Sequence, residues 1–312
     1  MRVAFTSCMD ARTISQQIIW TSISRHKPDV LLLVGDIVYM DYGFGLFFNK
    51  VRNWSETKFA DVLYERYLLQ SNVEEFRLLL SEVEHFESTW DDHDFAWNNS
   101  YVNGGGKNAV PLKQRLISKA LRSQFTTWAK NGAKESYPNQ PTMEQMLSET
   151  DSGIEKVLDI EGVKIILLDA RYYRSNSKRS GSESMLGSKQ REWLLEQTTS
   201  APGPCLVCTG TTLAGSKESW DKYMDYDWMV ENIPANVTFL SGDIHDNEIN
   251  QYAAASGNIF DVTASGAARK NGQYRLFNRH VVGNYGVLDS DGNKVHARCF
   301  NLDEMEHEQL IS

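Results

Sequence analysis

The sequence predicts an α/β fold on three observations. Short apolar runs stop abruptly at Gly, Asp or Cys, helical periodicity fills the gaps between them, and chemically loaded residues gather where the runs stop. Residues 2–6 end at Ser7-Cys8-Met9-Asp10, 30–34 at Gly35-Asp36, and 86–90 at Asp91-Asp92-His93-Asp94. Residues 163–168 end at Asp169-Ala170-Arg171, 206–208 lead into Thr209-Gly210-Thr211, and 237–240 end at Ser241-Gly242-Asp243-Ile244-His245. Apolar runs bounded by turn residues are what strands covered on both faces look like.

Helices are predicted over 14–25, 56–70, 73–82, 112–130 and 188–197, where apolar residues recur at helical spacing. Strands alternating with helices bring the strand ends to one edge of a sheet, the usual site location in such folds. The glycine-rich stretch 98–109 and the polar stretch 175–187 are candidates for shaping a pocket there. Residues 287–289 and 295–300 read as a β-hairpin, and the acidic tail from Asp303 is expected to fray. With no internal repeat or linker, residues 1–302 are expected to form one domain and 303–312 a tail.

The balance of 32 Lys plus Arg against 41 Asp plus Glu gives a net charge of −9, which argues against generic binding to a nucleic-acid backbone. Anionic substrates remain open, because bound metal ions reverse the field inside one cleft. The 4 cysteines are unevenly spread and suggest no disulfide framework. No signal peptide and no apolar run of the roughly 18–20 residues that span a bilayer are visible, so a cytoplasmic setting is expected.

Asp36 follows a strand and a glycine that permits a tight exit, and Tyr39 can reach the same ion if the loop turns. A phenolate is a hard ligand suited to Fe³⁺; the plain alternative is a strand-capping Asp beside a packed Tyr. Asp91-Asp92-His93-Asp94 crowds three carboxylates round one histidine and calls for a compensating cation. His93 is also suited to protonating a leaving-group oxygen. Asp243 and His245 alternate, so a continuing strand would turn both to one side. Cys8 and Asp10 have the same spacing, although a buried small hydrophobe explains Cys8 equally. Arg171 can hold phosphate oxygens bidentately, or pair with Asp169. Cys205-Leu206-Val207-Cys208 reads as core.

Taken in order, Ser7-Cys8-Met9-Asp10, Gly35-Asp36-Ile37-Val38-Tyr39, Trp90-Asp91-Asp92-His93-Asp94, Leu168-Asp169-Ala170-Arg171-Tyr172-Tyr173-Arg174, Leu186-Gly187-Ser188-Lys189-Gln190 with Trp193-Leu194, and Ser241-Gly242-Asp243-Ile244-His245 resemble the PhoD-like phosphatases, a branch of the calcineurin-like metallophosphoesterases. The resemblance runs over roughly residues 3 to 266. It implies a four-layer α/β/β/α sandwich with two facing mixed sheets, and hydrolysis of phosphomonoesters or phosphodiesters by a metal-activated hydroxide. It also implies Fe³⁺ and Ca²⁺, with Zn²⁺, Mn²⁺ or Mg²⁺ as alternatives.

Residue by residue, Cys8, Asp36, Tyr39 and Asp243 match the iron side. Asp36, Asp92 and His245 match the calcium side, and Asp10 is a weaker ligand. His93 is the expected acid or phosphate contact, and Arg171 the phosphate-facing arginine. The expected partner is a small phosphate-ester substrate. Cys8-Met9-Asp10 and Asp92-His93-Asp94 depart from the Asp-x-His and Asn-His-Glu of the wider superfamily, and no histidine stands near Thr209–Thr212. A catalytically silent, metal-stabilised binding protein of the same fold is the competing expectation.

Overall fold

A computed structural model describes residues 1–42, 48–176, 183–271, 280–292 and 294–311. In chain order the elements are β1 (Arg2–Thr6), α1 (Ile19–Arg25), β2 (Val30–Val34), α2 (Glu56–Ser71), α3 (Glu74–Glu82), β3 (His85–Thr89), α4 (Asp92–Phe95), α5 (Leu112–Lys130) and α6 (Met143–Leu147). There follow β4 (Lys156–Ile160), β5 (Val163–Leu167), α7 (Gly187–Thr199), β6 (Cys205–Cys208), α8 (Met224–Asn232), β7 (Val237–Ser241), β8 (Asn247–Ala254) and β9 (Gly257–Ala264). The chain closes with β10 (Arg269–Asn271), β11 (His280–Val282), β12 (Asn284–Ser290), β13 (Val295–Asn301) and β14 (Glu304–Ile311).

The strands build two six-stranded sheets, β14-β13-β12-β1-β2-β3 and β4-β5-β6-β7-β9-β8, and a small β10-β11 ribbon. Both large sheets are mixed. β1, β2 and β3 run parallel and β12 antiparallel to β1; β5, β6, β7 and β9 run parallel, with β4 and β8 antiparallel at the edges.

Three apolar layers separate the parts. Val3, Phe5, Leu32 and Val34 of one sheet meet Ile165, Leu206, Leu240 and Val262 of the other. The alternate residues Ala4, Leu31 and Leu33 pack on the helical side with Trp20, Phe59, Phe76, Leu121 and Phe125, and Ile166, Val207 and Phe239 pack with Leu194, Trp220 and Met229. Each central strand is therefore apolar on both faces, which is why its run is unbroken. The result is the four-layer α/β/β/α arrangement.

Two expectations change. Helix α1 begins at Ile19 rather than residue 14, because the Gln17 amide donates to the Ile14 carbonyl and accepts from Trp20 Nε1, holding the preceding turn out of the helix. The acidic stretch after Asp303 does not fray: β14 pairs antiparallel with β13 from Asn301↔Glu304 to Val295↔Ile311. Loop 98–109 and the loop at 175 are paired to one another, with Asn103 N donating to the Arg174 carbonyl at 3.0 Å. Residues 177–182 of the second loop lie outside the described residues.

Candidate metal centre

The parallel registers put the carboxyl ends of β1, β2 and β3 on one edge, and those of β5, β6 and β7 on the facing edge. Side chains tie the two edges together. Thr89 Oγ1 donates to the Leu168 carbonyl at 2.6 Å, and Trp90 Nε1 to Asp169 Oδ1 at 2.8 Å. The approach is close enough to demand glycine: a Cβ on Gly35 would stand 2.7 Å from Asp91 Cβ, and one on Gly242 2.6 Å from Ser7 Oγ.

Just beyond the strand ends the backbone turns left-handed at non-glycine residues. Cys8 (φ 62°), Asp36 (φ 51°), Asp243 (φ 75°) and His245 (φ 57°) all do so. Each such residue costs about 1–3 kcal/mol, and persists only where its surroundings over-determine it. These turns, not a continuing strand, aim Asp243 and His245: β7 already ends at Ser241.

Asp36, Asp92 and His93 are buried and offer ligand atoms within 4.8 Å of one another. Cys8 Sγ lies 3.5 Å from Asp36 Oδ2, with Ser7 and Ser265 hydroxyls on its other sides. Tyr39 Oη is 3.0 Å from His245 Nε2, and its ring centroid is 4.4 Å from that of His93. Thr211 Oγ1 donates to Asp243 Oδ2 at 3.3 Å. Asp92 Oδ2 accepts from Asn99 N at 2.5 Å, while Asp92 Oδ1 is buried without a hydrogen-bond partner among the described residues.

The electrostatics follow from this crowding. Burial, then the neighbouring Cys8, pushes the Asp36 carboxyl well above its usual range, with Asp92 and Asp91 adding to it. Asp243 is pushed well up by burial and by Asp91, Glu218 and Asp92. Burial likewise raises Cys8 and Tyr39, and drives His245 down to about 3. His93 is the exception: burial opposes its charge, but Asp41, Asp92 and Asp36 outweigh burial and hold its pKa well above the usual value. Buried anions that raise one another's pKa, beside an orphaned carboxylate oxygen, are a donor set that a multivalent cation completes. The residues fit a multivalent metal ion.

Two of the expected residues have other partners. Arg171 is fully buried: its Nε and Nη2 donate to Asp91 at 2.6 and 2.8 Å, and Nη1 to Glu218 at 2.8 Å. With its donors spent inside the protein, it braces the two sheet edges. Nor does it pair with the Asp169 side chain, which instead accepts from the backbone of Arg171, Tyr172 and Ile154. Asp10 is taken up by arginines, with Arg12 at 3.2 Å and Arg269 at 3.8 Å, instead of joining Asp36 and Asp92. Cys205 and Cys208 are buried free thiols in β6, as a core strand requires.

Two site residues lay outside the sequence reading. Asp41 Oδ1 stands 2.5 Å from His93 Nδ1, and its Oδ2 accepts from Asn98 N at 2.9 Å. Its signal was a second carboxylate in the loop that carries Asp36, which a histidine needs to fix its tautomer. Arg269 lies over the Tyr39 ring, 3.5 Å from its centroid, and has no local motif. Only tertiary pairing brings it there: Ala267 N donates to the Ser7 carbonyl, and Asp10 N to the Ala268 carbonyl.

Among solved structures the chain is similar to the calcineurin-like phosphoesterase YfkN of Bacillus subtilis, with 12% identity, a TM-score of 0.40 and coverage of 100% of this chain and 90% of that one. TT1561 of Thermus thermophilus gives 10% identity and a TM-score of 0.42 over 96% and 98% of the two chains. Wild-type Vps29 of Entamoeba histolytica, complexed with Zn²⁺, gives 8% and 0.36 over 100% of both. The architecture stands on the strand pairing described above and not on these distant likenesses. No curated protein sequence matches. No helix of the described residues is long and apolar enough to cross a membrane. The model of the PhoD-like phosphatase family matches residues 3–203, most of the chain and all of the first five motifs. The chain belongs to the PhoD-like phosphatase family, a group of metal-dependent hydrolases of phosphoric esters.

Proposed function

We propose that the chain hydrolyses phosphoric mono- or diesters with an iron–calcium centre. Cys8, Asp36, Tyr39 and Asp243 would hold Fe³⁺, and Asp36, Asp92 and His245 Ca²⁺. The observation that carries this reading is Asp92 Oδ1, a buried carboxylate oxygen with no hydrogen-bond partner among the described residues, in a group with Asp36 and His93 spanning no more than 4.8 Å. Bound cations polarise phosphoryl oxygens and lower the pKa of water.

The protein's own part is positional and protonic. Asp41 accepts from His93 Nδ1–H, which leaves Nε2 to face the cluster and carry the transferable proton. Nε2 lies 3.8 Å from Asp92 Oδ1, so the imidazolium stays close to negative charge until a leaving group takes the proton. Burial of Asp36, Asp92 and His93 lowers the local dielectric and so strengthens the electrostatic interactions among them.

The test is hydrolysis of p-nitrophenyl phosphate and bis(p-nitrophenyl) phosphate by protein reconstituted with iron and calcium. Visible absorption is recorded in parallel. Chelation and Asp36→Asn should each reduce hydrolysis to background, and Tyr39→Phe should remove a tyrosinate-to-iron band. Hydrolysis that survives both treatments sinks the proposal. Full metal content without any hydrolysis favours a silent binding protein.

A further inference from the structure

We infer that Arg269 receives the phosphoryl oxygens of the substrate, the task expected of Arg171; the inference rests on the phosphoric-ester reading of the site. The two arginines are held in opposite ways. Arg171 is saturated, with Asp91 on one side of its fork and Glu218 on the other. Arg269 instead sits over two aromatic rings. Its guanidinium carbon is 3.5 Å from the Tyr39 ring centroid and 4.5 Å from that of Tyr42. An aromatic ring attracts the cation through its π face and takes up none of the guanidinium N–H donors as a carboxylate would. Among the described residues the one carboxylate in its reach, Asp10, stands at 3.8 Å, beyond hydrogen-bond length, and is closer to Arg12 at 3.2 Å.

Two arginines thus share one carboxylate, and this corner carries surplus positive charge beside an acidic ligand cluster. The same Tyr39 ring that carries Arg269 lies 4.4 Å from the His93 ring and hydrogen-bonds His245 through its hydroxyl. The cation is also fixed in place: Ala267 N donates to Ser7 O at 2.9 Å and Asp10 N to Ala268 O at 3.0 Å, so the backbone leading to Arg269 is laced to the strand end that carries Cys8. A planar fork whose donors have no hydrogen-bond partner among the described residues, held next to the cluster, matches two non-bridging oxygens of a phosphoryl group.

Calorimetric titration of the metal-loaded protein with inorganic phosphate tests this, with metal content and ester hydrolysis measured on the same samples. Arg269→Ala should weaken phosphate binding about 10- to 100-fold, the effect of one charge-assisted hydrogen-bonded contact, with bound metal unchanged. Arg269→Lys should recover part of the loss, since an ammonium restores charge but not the fork. If the alanine variant does not fold, Arg269→Gln, which keeps a side chain over Tyr39 without the charge, decides in the same way. Phosphate affinity unchanged in Arg269→Ala or Arg269→Gln, or no phosphate binding by the wild type, overturns the inference. Arg269-dependent phosphate binding without ester cleavage upholds it and removes only the hydrolase reading. Ester cleavage with Arg269 dispensable for phosphate removes the inference alone.

Discussion

Two polar clusters sit at neighbouring strand ends of this molecule, both buried and each built from two aspartates round one basic side chain. Round Asp91, Asp169 and Arg171 every charge meets a partner: Arg171 forks onto Asp91 and reaches Glu218, while Asp169 collects Trp90 Nε1 and the N–H groups of Ile154, Arg171 and Tyr172. Round Asp36, Asp92 and His93 the carboxylates outnumber the cations, one oxygen of Asp92 has no hydrogen-bond partner among the described residues, and the flanking backbone is left-handed. Burial alone therefore does not mark function. A saturated buried network holds a fold together, whereas an unsaturated one awaits a ligand.

The contrast breaks most severely in the saturated cluster. Arg171→Met leaves Asp91 buried against an apolar chain without its cation and should cost about 3–5 kcal/mol of stability, read by denaturant unfolding. A loss under about 1 kcal/mol would mean that the brace is not a brace. His93→Ala should show chiefly in the rate, a loss on the order of 10²-fold or more on esters with poor leaving groups, with a stability cost as well because buried Asp41 loses its partner. Asp41→Asn is next, at about 10- to 100-fold in kcat with KM nearly constant, because it loosens the orientation of His93 without touching the substrate. Equal losses in kcat and KM would contradict a positioning role.

The smallest expected effect lies away from both clusters. His26, packed against Phe300 and hydrogen-bonded to Tyr285, has its pKa lowered by burial and by Arg298 and Arg2. Below about pH 6.5 the unfolded chain binds this proton more readily than the folded one, so stability should fall slightly as pH drops from about 7.5 to about 5.5. His26→Gln should flatten that slope in thermal melts at the two pH values.

How much of this was legible in the sequence follows the same division. Strands such as Val30–Val34 are apolar on both faces, and their limits could be read directly. β4 (Lys156–Ile160) and β14 (Glu304–Ile311) are partly or largely exposed edge strands, so they lack that signature. Cys8, Asp36, Tyr39, Asp92, His93, Asp243 and His245 could be read as candidates because each follows the end of a readable strand. The partners of the arginines were not readable. Whether Arg171 or Arg269 has donors to spare depends on Glu218, Asp10 and Tyr39, which are far from them in the chain. Asp41 was missed for a milder reason: its loop is short, and only the 2.5 Å contact with His93 gives it a role.

The central claim is that the Asp36–Asp92–His93 cluster is a cation site kept unsatisfied by the fold. Melting temperatures of the wild type and Asp92→Asn, each with metal and after chelation, test it most directly. In metal-free protein Asp92→Asn should melt higher than the wild type, since it removes a buried negative charge from a crowded group. With metal the order should reverse, because the wild type alone gains the full stabilisation of the bound ion. A wild type whose melting is indifferent to chelation, with Asp92→Asn lower under both conditions, would contradict the account.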